Sequence, residues 1–208
     1  SVYNNNNDRL RIESNNHVNI GSNWTISASF SDLVNGTSWR TLFRGKSGDH
    51  QIIINSAGLL GSYGNGVSGF SGFKSCGYNA WQLDNGQHHT ITARGSGSQT
   101  RFYVDGVEVC SINYKSTSDI YSIGNYQGGG QRFAAELDNV QIHTRALTDE
   151  EIRQVANGVK VSSGLAAYYN FEETSSQYYQ DKSGNNRHAT SSVYNNNNDR
   201  LRIESNNH

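Results

Sequence analysis

Residues 133–152 read Phe-Ala-Ala-Glu-Leu-Asp-Asn-Val-Gln-Ile-His-Thr-Arg-Ala-Leu-Thr-Asp-Glu-Glu-Ile, and this segment contains two different periodicities. Its first half alternates apolar and polar side chains, which is typical of a half-buried strand. At Thr148 the pattern becomes that of a helix start, because Thr148 can serve as N-cap and Glu151 completes a capping box. Gly158 ends the helix soon afterwards. The sequence therefore predicts a strand followed by one short helix near residues 149–157.

Most of the remaining chain alternates in short segments separated by turn residues, which is typical of strands. The 22 glycines and the absence of proline fit a protein built from tight turns. Residues 64–79, rich in glycine and aromatic side chains, are interpreted as a long loop at one edge of a concave sheet. The predicted strands and hairpins span residues 9–14, 23–30, 39–44, 51–63, 88–93, 99–109, 120–124 and 165–172. Together they predict an all-β, antiparallel two-sheet sandwich.

The overall composition excludes several classes of partner. The formal net charge is −1 over 208 residues. The sequence therefore has neither the basic patch expected of a protein that binds nucleic acid nor the cationic face expected of one that binds a membrane surface. The chain has no Met, which indicates a mature product or an internal fragment. We expect one domain, no nucleic-acid partner and no insertion into a membrane.

Two cysteines, Cys76 and Cys110, make up the thiol inventory. An even count in a chain rich in Asn and Ser fits one disulfide and an exported protein. Two separate buried thiols are the alternative, and the sequence leaves it open. We predict that the protein is secreted or displayed at the cell surface.

Residues 1–17 recur without change as residues 192–208, an offset of 191 residues. This identity is too long to arise from biased composition, and the offset is about one domain. The chain is therefore one period plus an overlap. It is either a piece of an array of near-identical tandem repeats or a chain whose ends were duplicated deliberately. We favour the array, because secreted adhesins commonly carry such arrays.

The two identical copies compete for one strand position. Residues 9–14 alternate as a strand, and residues 200–205 repeat them. One sandwich has one position for this strand, so the other copy is surplus. The surplus copy either frays as a tail or joins a neighbouring molecule, which would give head-to-tail self-association.

Taken together, the segments resemble the laminin-G-like branch of the concanavalin-A-like lectin/glucanase superfamily, whose domains are jelly rolls. The resemblance covers nearly the whole chain, and the motifs are specific as a set. In the family's order, the matching segments are the Tyr-Tyr-x-Phe-type strand at 168–172, the Asp-x-Ser-Gly-Asn loop at 181–186, the strand at 200–204, Trp-Thr-Ile-Ser at 24–27, Tyr-Val-Asp-Gly at 103–106 and Leu-Asp-Asn-Val at 137–140. Here the opening strand follows the closing helix, so residues 1–208 are interpreted as a single laminin-G-like domain in circularly permuted order.

Oxygen-bearing side chains near the ends of the domain predict a calcium site. Carboxylate and amide oxygens are the ligands that Ca²⁺ takes, and the resemblance implies calcium near the opening loop and the closing strand. The predicted ligands are Glu136, Asp138, Asp181 and Asn186. The alternative is that Asp138 and Asp181 only satisfy N–H groups in turns.

A catalytic role is not expected. Glucanases of this fold carry Glu-x-Asp followed by a second Glu on one strand, and a retaining glycosidase needs two such acids. Glu136 and Asp138 match the first half of this pattern, but Asn139, Val140 and Gln141 follow. We therefore predict that the protein is not an enzyme, with a glycoside hydrolase as the second alternative.

The remaining function is binding. Carbohydrate-binding β-sheets stack sugar rings on aromatic side chains and bond the hydroxyls with short polar residues. The sequence predicts a non-catalytic extracellular module that binds a glycan or another extracellular ligand, depends on calcium and forms one unit of a tandem-repeat adhesin. A structural spacer repeat without its own ligand is the first alternative. The predicted ligand-binding residues are Trp39, Arg44, Tyr63, Tyr78, Trp81 and Tyr126.

Overall fold

A computed structural model describes residues 9–67, 69–173 and 178–191 of the chain. Within these residues the chain forms fourteen strands, one α-helix and one short 3₁₀ helix at Ala80–Leu83. The strands are β1 (Leu10–Ile12), β2 (Trp24–Leu33), β3 (Arg40–Gly45), β4 (His50–Ile54), β5 (Leu59–Asn65), β6 (Ser71–Asn79), β7 (His89–Ser96), β8 (Gln99–Val104), β9 (Val107–Ile112), β10 (Ile120–Ile123), β11 (Ala134–His143), β12 (Leu165–Tyr169), β13 (Tyr178–Tyr179) and β14 (Ala189–Ser191). The helix α1 spans Asp149–Ala156.

The strands form two antiparallel sheets packed face to face around one main core. The described eight-stranded sheet has the order β13-β14-β1-β10-β3-β4-β5-β6, and the six-stranded sheet has the order β12-β11-β2-β7-β8-β9. Alternate residues of β2, namely Trp24, Ile26, Ala28 and Phe30, are fully buried in the core between the sheets. The prediction of an all-β, two-sheet jelly-roll sandwich with one short helix is confirmed.

Helix α1 forms as its sequence predicts and packs on the outside of the six-stranded sheet. The Thr148 hydroxyl accepts from the Glu151 N–H, and the Glu151 carboxylate accepts from the Thr148 N–H, which completes the capping box. Ile152 and Val155 are buried against Tyr103 in a small second core. No helix in the described part of the chain is long and apolar enough to cross a membrane.

A bulge in β11 connects the strand to the segment that follows α1. The pairing of β11 with β2 shifts between Asp138 and Gln141, where Asn139 adopts a φ of 47°. The Asn139 side chain donates to the Val155 carbonyl oxygen, and the Gln141 side chain donates to the Val159 carbonyl oxygen. Asn139 and Gln141 therefore connect β11 to the last turn of α1 and to the segment that follows it.

The first copy of the repeated sequence occupies a strand position. Its β1 lies between β14 and β10, with Leu10 opposite Ser191 and Ile12 opposite Ala189. The side chains of Leu10 and Ile12 are fully buried. The second copy, residues 192–208, lies outside the described residues.

The prediction of a long loop at residues 64–79 is wrong, because most of this segment is strand β6. Glycines allow β5 and β6 to approach closely, since a Cβ on Gly61 would lie 2.0 Å from the Lys74 carbonyl oxygen. The alternative of two separate thiols is also wrong. Cys76 on β6 and Cys110 on β9 form a disulfide, which joins an edge of one sheet to an edge of the other.

Candidate ligand-binding site

One row of paired residues crosses the whole eight-stranded sheet. Residues directly opposite each other in antiparallel strands point to the same face. The neighbours of this row along the strands, such as Leu10, Ile12 and Ala189, are core residues, so the row lies on the outer face of the sheet. We call it the cross-strand row, and it contains Tyr178, Thr190, Arg11, Ser122, Arg44, His50, Tyr63 and Phe73.

The end of the row at β4, β5 and β6 is aromatic. Trp39, which directly precedes β3, packs edge-on against Tyr63 and Phe73, with ring centroids 5.9 and 5.1 Å apart. The His50 imidazole contacts Tyr63 at 6.0 Å and stacks on Tyr126 at 6.2 Å. The rings other than His50 each remain partly exposed. They form one continuous apolar surface on the outside of the sheet.

The middle of the row is cationic. The Arg44 guanidinium lies 4.7 Å from the ring centre of Tyr126 and 5.7 Å from that of Tyr121. On β1, Arg11 is exposed. Burial lowers the pKa of Arg9, and the positive charges of Arg11 and Arg44 lower it further. Three guanidinium groups therefore share this part of the face.

A hydrogen-bond chain fixes the orientation of His50 and keeps it neutral. The Thr41 hydroxyl donates to Gln131 Oε1 at 2.7 Å, so it must accept from His50 Nδ1 at 2.9 Å. The other ring nitrogen, Nε2, then accepts from Arg44 Nε at 3.4 Å. Burial, together with the charge of Arg44, lowers the pKa of His50 to about 3. We call the cross-strand row together with Trp39, Tyr121 and Tyr126 the aromatic-arginine face.

The structure brings together four of the six residues predicted to bind ligand, which are Trp39, Arg44, Tyr63 and Tyr126. The other two lie elsewhere. Tyr78 and Trp81 pack against the edge of the hydrophobic core. A Cβ on Gly58 would lie 2.2 Å from the Trp81 ring, so the indole packs against the turn at Gly58. A role in ligand binding stays a prediction for all six residues.

Sequence reasoning missed Arg11, His50, Phe73 and Tyr121. Each belongs to a strand, but bulges shift the registers between β10 and β3 and between β3 and β4. Simple alternation therefore does not show which side chains share a face. Two signals together would have placed His50 opposite Arg44. One is an Arg or aromatic residue at an outward position of each strand, and the other is the short hairpin that aligns β3 with β4.

A second polar feature is a recess of about 270 Å³ on the outer face of the six-stranded sheet, beside the end of α1. The Ser31 hydroxyl donates to Glu136 at 2.6 Å, and the Asn139 N–H donates to Asp138 at 2.7 Å. Although Asp138 reaches the surface, shielding from water in the recess raises the pKa of its carboxyl, and the charge of Glu172 raises it further. Glu136, Asp138 and Glu172 give the recess an acidic lining.

The predicted calcium ligands do not gather at one point. No three His, Cys, Asp or Glu side chains in the described residues are placed to hold one ion, so Glu136, Asp138 and Asp181 do not converge. Asp181 and Asn186 do not line the recess either. This corrects the expectation that the opening loop and the closing strand bring their carboxylates together.

Asp181 instead organises the turn between β13 and β14. One of its oxygens accepts from the N–H groups of Tyr168 and Ser183, each at 2.9 Å. The other accepts from the Ser183 hydroxyl at 2.8 Å and the Arg187 N–H at 2.9 Å. The carboxylate is buried and satisfied by these four donors, so it fits a turn better than a calcium site. Asn186 is exposed, with a φ of 57°.

The residue at the position of the missing catalytic acid has a structural role. Gln141 stands where the glucanase pattern would place its second Glu, and its side chain is fully buried. Its amide donates to the Val159 carbonyl oxygen and accepts from the Val161 N–H. A carboxylate could not donate the first of these bonds. The strand is therefore built around an amide at this position.

Comparisons with known proteins agree with this architecture. A family model described as "Concanavalin A-like lectin/glucanases superfamily" matches residues 4–153. A search of curated proteins gives no match.

Among solved structures, a candidate carbohydrate-binding protein from Bacteroides ovatus ATCC 8483 has a TM-score of 0.68 at 16% identity, over 90% of this chain and 56% of that one. The chain thus spans about half the length of this relative. The CBM40 of Ruminococcus gnavus IT-sialidase has a TM-score of 0.51 at 17% identity, over 65% of this chain and 83% of that one. The leech intramolecular trans-sialidase has a TM-score of 0.50 at 20% identity, over 67% of this chain and 24% of that one. At these identities the likeness shows a shared fold.

Proposed function

The chain belongs to the concanavalin A-like lectin/glucanases superfamily. We propose that it is a non-catalytic carbohydrate-binding module whose site is the aromatic-arginine face. The observation that carries the proposal is the continuous surface of partly exposed rings formed by Trp39, Tyr63, Phe73 and Tyr126 outside the hydrophobic core. Apolar faces of sugar rings stack on such surfaces. The descriptions of the Bacteroides ovatus protein and of the CBM40 structure support the same class of ligand.

Binding of a glycan array by matched variants tests this proposal. We expect Tyr126→Ala to weaken glycan binding by about tenfold or more, because one stacking ring is lost. Tyr126→Phe keeps the ring and should keep the binding. Tyr168→Ala serves as the control, because Tyr168 is a partly exposed tyrosine on β12 of the other, six-stranded sheet. Equal binding by Tyr126→Ala and the parent chain would contradict the assignment of the site.

Calcium dependence is a separate part of the proposal. It rests on the oxygen-rich sequence near Asp138 and on the acidic recess, since Asp181 is already satisfied by four hydrogen bonds. Thermal unfolding is measured after chelation and again with added calcium. If added calcium raises the unfolding temperature by several degrees and Asp138→Asn removes this rise, an ion at the recess is supported, because a ligand that binds only the native state stabilises it. No shift in the parent chain removes calcium from the proposal.

Extracellular display in a tandem array completes the proposal. The exact terminal repeat and the disulfide Cys76–Cys110 support it. Head-to-tail association through the duplicated strand would appear as concentration-dependent oligomers in sedimentation, and the loss of these oligomers on deletion of residues 192–208 would assign them to the repeat. A monomer at all concentrations would remove this part.

The exact repeat also favours one alternative, a structural spacer without its own ligand. A spacer would bind no glycan on the array, and tandem copies of the chain would have high stability. The glycoside hydrolase alternative predicts turnover of a β-glucan, which we do not expect because Gln141 replaces the second acid.

A further inference from the structure

Arg44 is a buried charge whose partners are all neutral. Only 6% of the residue is exposed. Its guanidinium donates to the Tyr121 hydroxyl and to the neutral His50 ring, and it forms no ion pair with any described carboxylate. Taking an arginine out of water costs free energy unless a counter-charge compensates it. Among the described residues, no carboxylate supplies this cation with a counter-charge.

The described groups that surround Arg44 do not supply a negative charge. The Tyr121 hydroxyl donates a hydrogen bond to Gln127 Oε1 at 2.6 Å, so Tyr121 is neutral and its own partner is a neutral amide. Along the row, Arg44 is followed by Ser122 and then by the cation Arg11. The carboxylate on the adjoining segment, Asp119, is paired with Lys46 at 2.7 Å.

The face therefore has two chemically different halves side by side. One half offers the rings of Trp39, Tyr63 and Tyr126, and the other offers guanidinium groups. Tyr126 joins the halves, since its ring stacks on His50 and covers the Arg44 guanidinium. Planar guanidinium groups bind carboxylate and sulfate oxygens with paired hydrogen bonds. A neutral sugar would use the rings and leave Arg44 and Arg11 without a counter-charge.

We infer that the ligand of the aromatic-arginine face is an acidic glycan, whose sugar ring stacks on the aromatic half while its carboxylate or sulfate group compensates Arg44 and Arg11. This inference rests on the proposed function and names the class of ligand for the same site.

Calorimetric titration with paired probes tests the inference. Oligogalacturonide is compared with its methyl ester, and a sulfated galactan oligosaccharide is compared with its desulfated form. We expect the charged member of at least one pair to bind about ten- to hundredfold more tightly than its neutral partner. The pair that shows the preference identifies the anion as carboxylate or sulfate. The preference should shrink as sodium chloride is raised, because salt screens charge.

Variants then assign the preference to Arg44. Arg44→Gln should abolish it, Arg44→Lys should keep part of it, and Arg101→Gln should leave it unchanged, because Arg101 is exposed on the other sheet and bonds Glu108. Thermal unfolding verifies that each variant is folded. If Arg44→Gln does not fold, Arg11→Gln carries the same test from an exposed position.

Three outcomes overturn the inference in distinguishable ways. Equal binding of both members of each pair, with Tyr126→Ala still impaired, would leave the carbohydrate site standing and remove the anionic ligand. A charge preference that Arg44→Gln and Arg11→Gln both retain would place the anion elsewhere. Absence of binding to every probe and to the glycan array would remove both the inference and the proposed function.

Discussion

Identical substitutions in the two copies of the repeated sequence should have very different effects on stability. Leu10 occupies a strand position and is fully buried in the core. Leu201 has the same sequence around it, because residues 192–208 repeat residues 1–17. Leu10→Ala and Leu201→Ala therefore form a matched pair in which the local sequence is constant.

The expected magnitudes follow from burial. Leu10→Ala removes a fully buried side chain between β14 and β10, and such changes cost about 2–5 kcal/mol of unfolding free energy. Leu201→Ala should change it by less than about 0.5 kcal/mol, because the strand position is already filled. Ile12→Val, at about 1 kcal/mol, is a milder variant in the same strand if Leu10→Ala does not fold.

Urea unfolding followed by intrinsic fluorescence gives both free energies, and Trp24, buried in the core, serves as the reporter. The double variant, Leu10→Ala with Leu201→Ala, measures whether one copy can replace the other. A loss of 2 kcal/mol or more in Leu201→Ala alone, or no loss in Leu10→Ala, would contradict the assignment of the first copy to the strand position. Either result would mean that the second copy holds the strand position.

Three further predictions concern pH, the disulfide and the helix cap. Because the native pKa of His50 is lowered from 6.5 to about 3, the free energy of unfolding should fall as the pH drops below about 6.5, by about 1.4 kcal/mol per pH unit from this residue. Urea unfolding of His50→Gln should show a dependence of this free energy on pH that is smaller by that amount. An equal dependence in the variant and the parent chain would contradict the assignment. Reducing the bridge between Cys76 and Cys110, which closes a loop with a sequence separation of 34 residues, should cost about 3–4 kcal/mol, whereas the reductant should not affect a chain with both positions changed to Ser. Thr148→Ala should cost about 1 kcal/mol in urea unfolding and Thr148→Ser almost nothing, so equal losses would argue against the cap.

Local patterns made most of the fold predictable. The alternation from Trp24 to Phe30 places one face of β2 in the core, and the Thr148 cap with Glu151 positions α1, because both signals depend on neighbours within a few residues. The sequence predicts a loop at 64–79 because glycine usually marks a turn, whereas the glycines there allow two strands to approach closely.

The candidate site was only half predictable because it depends on register. Trp39 and Tyr126 could be proposed from their residue type alone. That His50 lies opposite Arg44 depends on register shifts in the pairing of β3 with β4, and no periodicity encodes these shifts. The expected convergence of Asp138 with Asp181 failed for a related reason. Each carboxylate accepts hydrogen bonds from backbone N–H groups of its own surroundings.

The pairing of β1 with β14 has a mechanical consequence. Leu10, the first residue of β1, lies directly opposite Ser191, the last residue of β14. A pulling force applied through Leu10 and Ser191 therefore acts across the strands, and it loads the hydrogen bonds one after another instead of all at once. Each such bond contributes only about 1 kcal/mol net, so this pair should open at low force. An array of such units would lengthen under modest tension, whereas sheets pulled along their strands resist it.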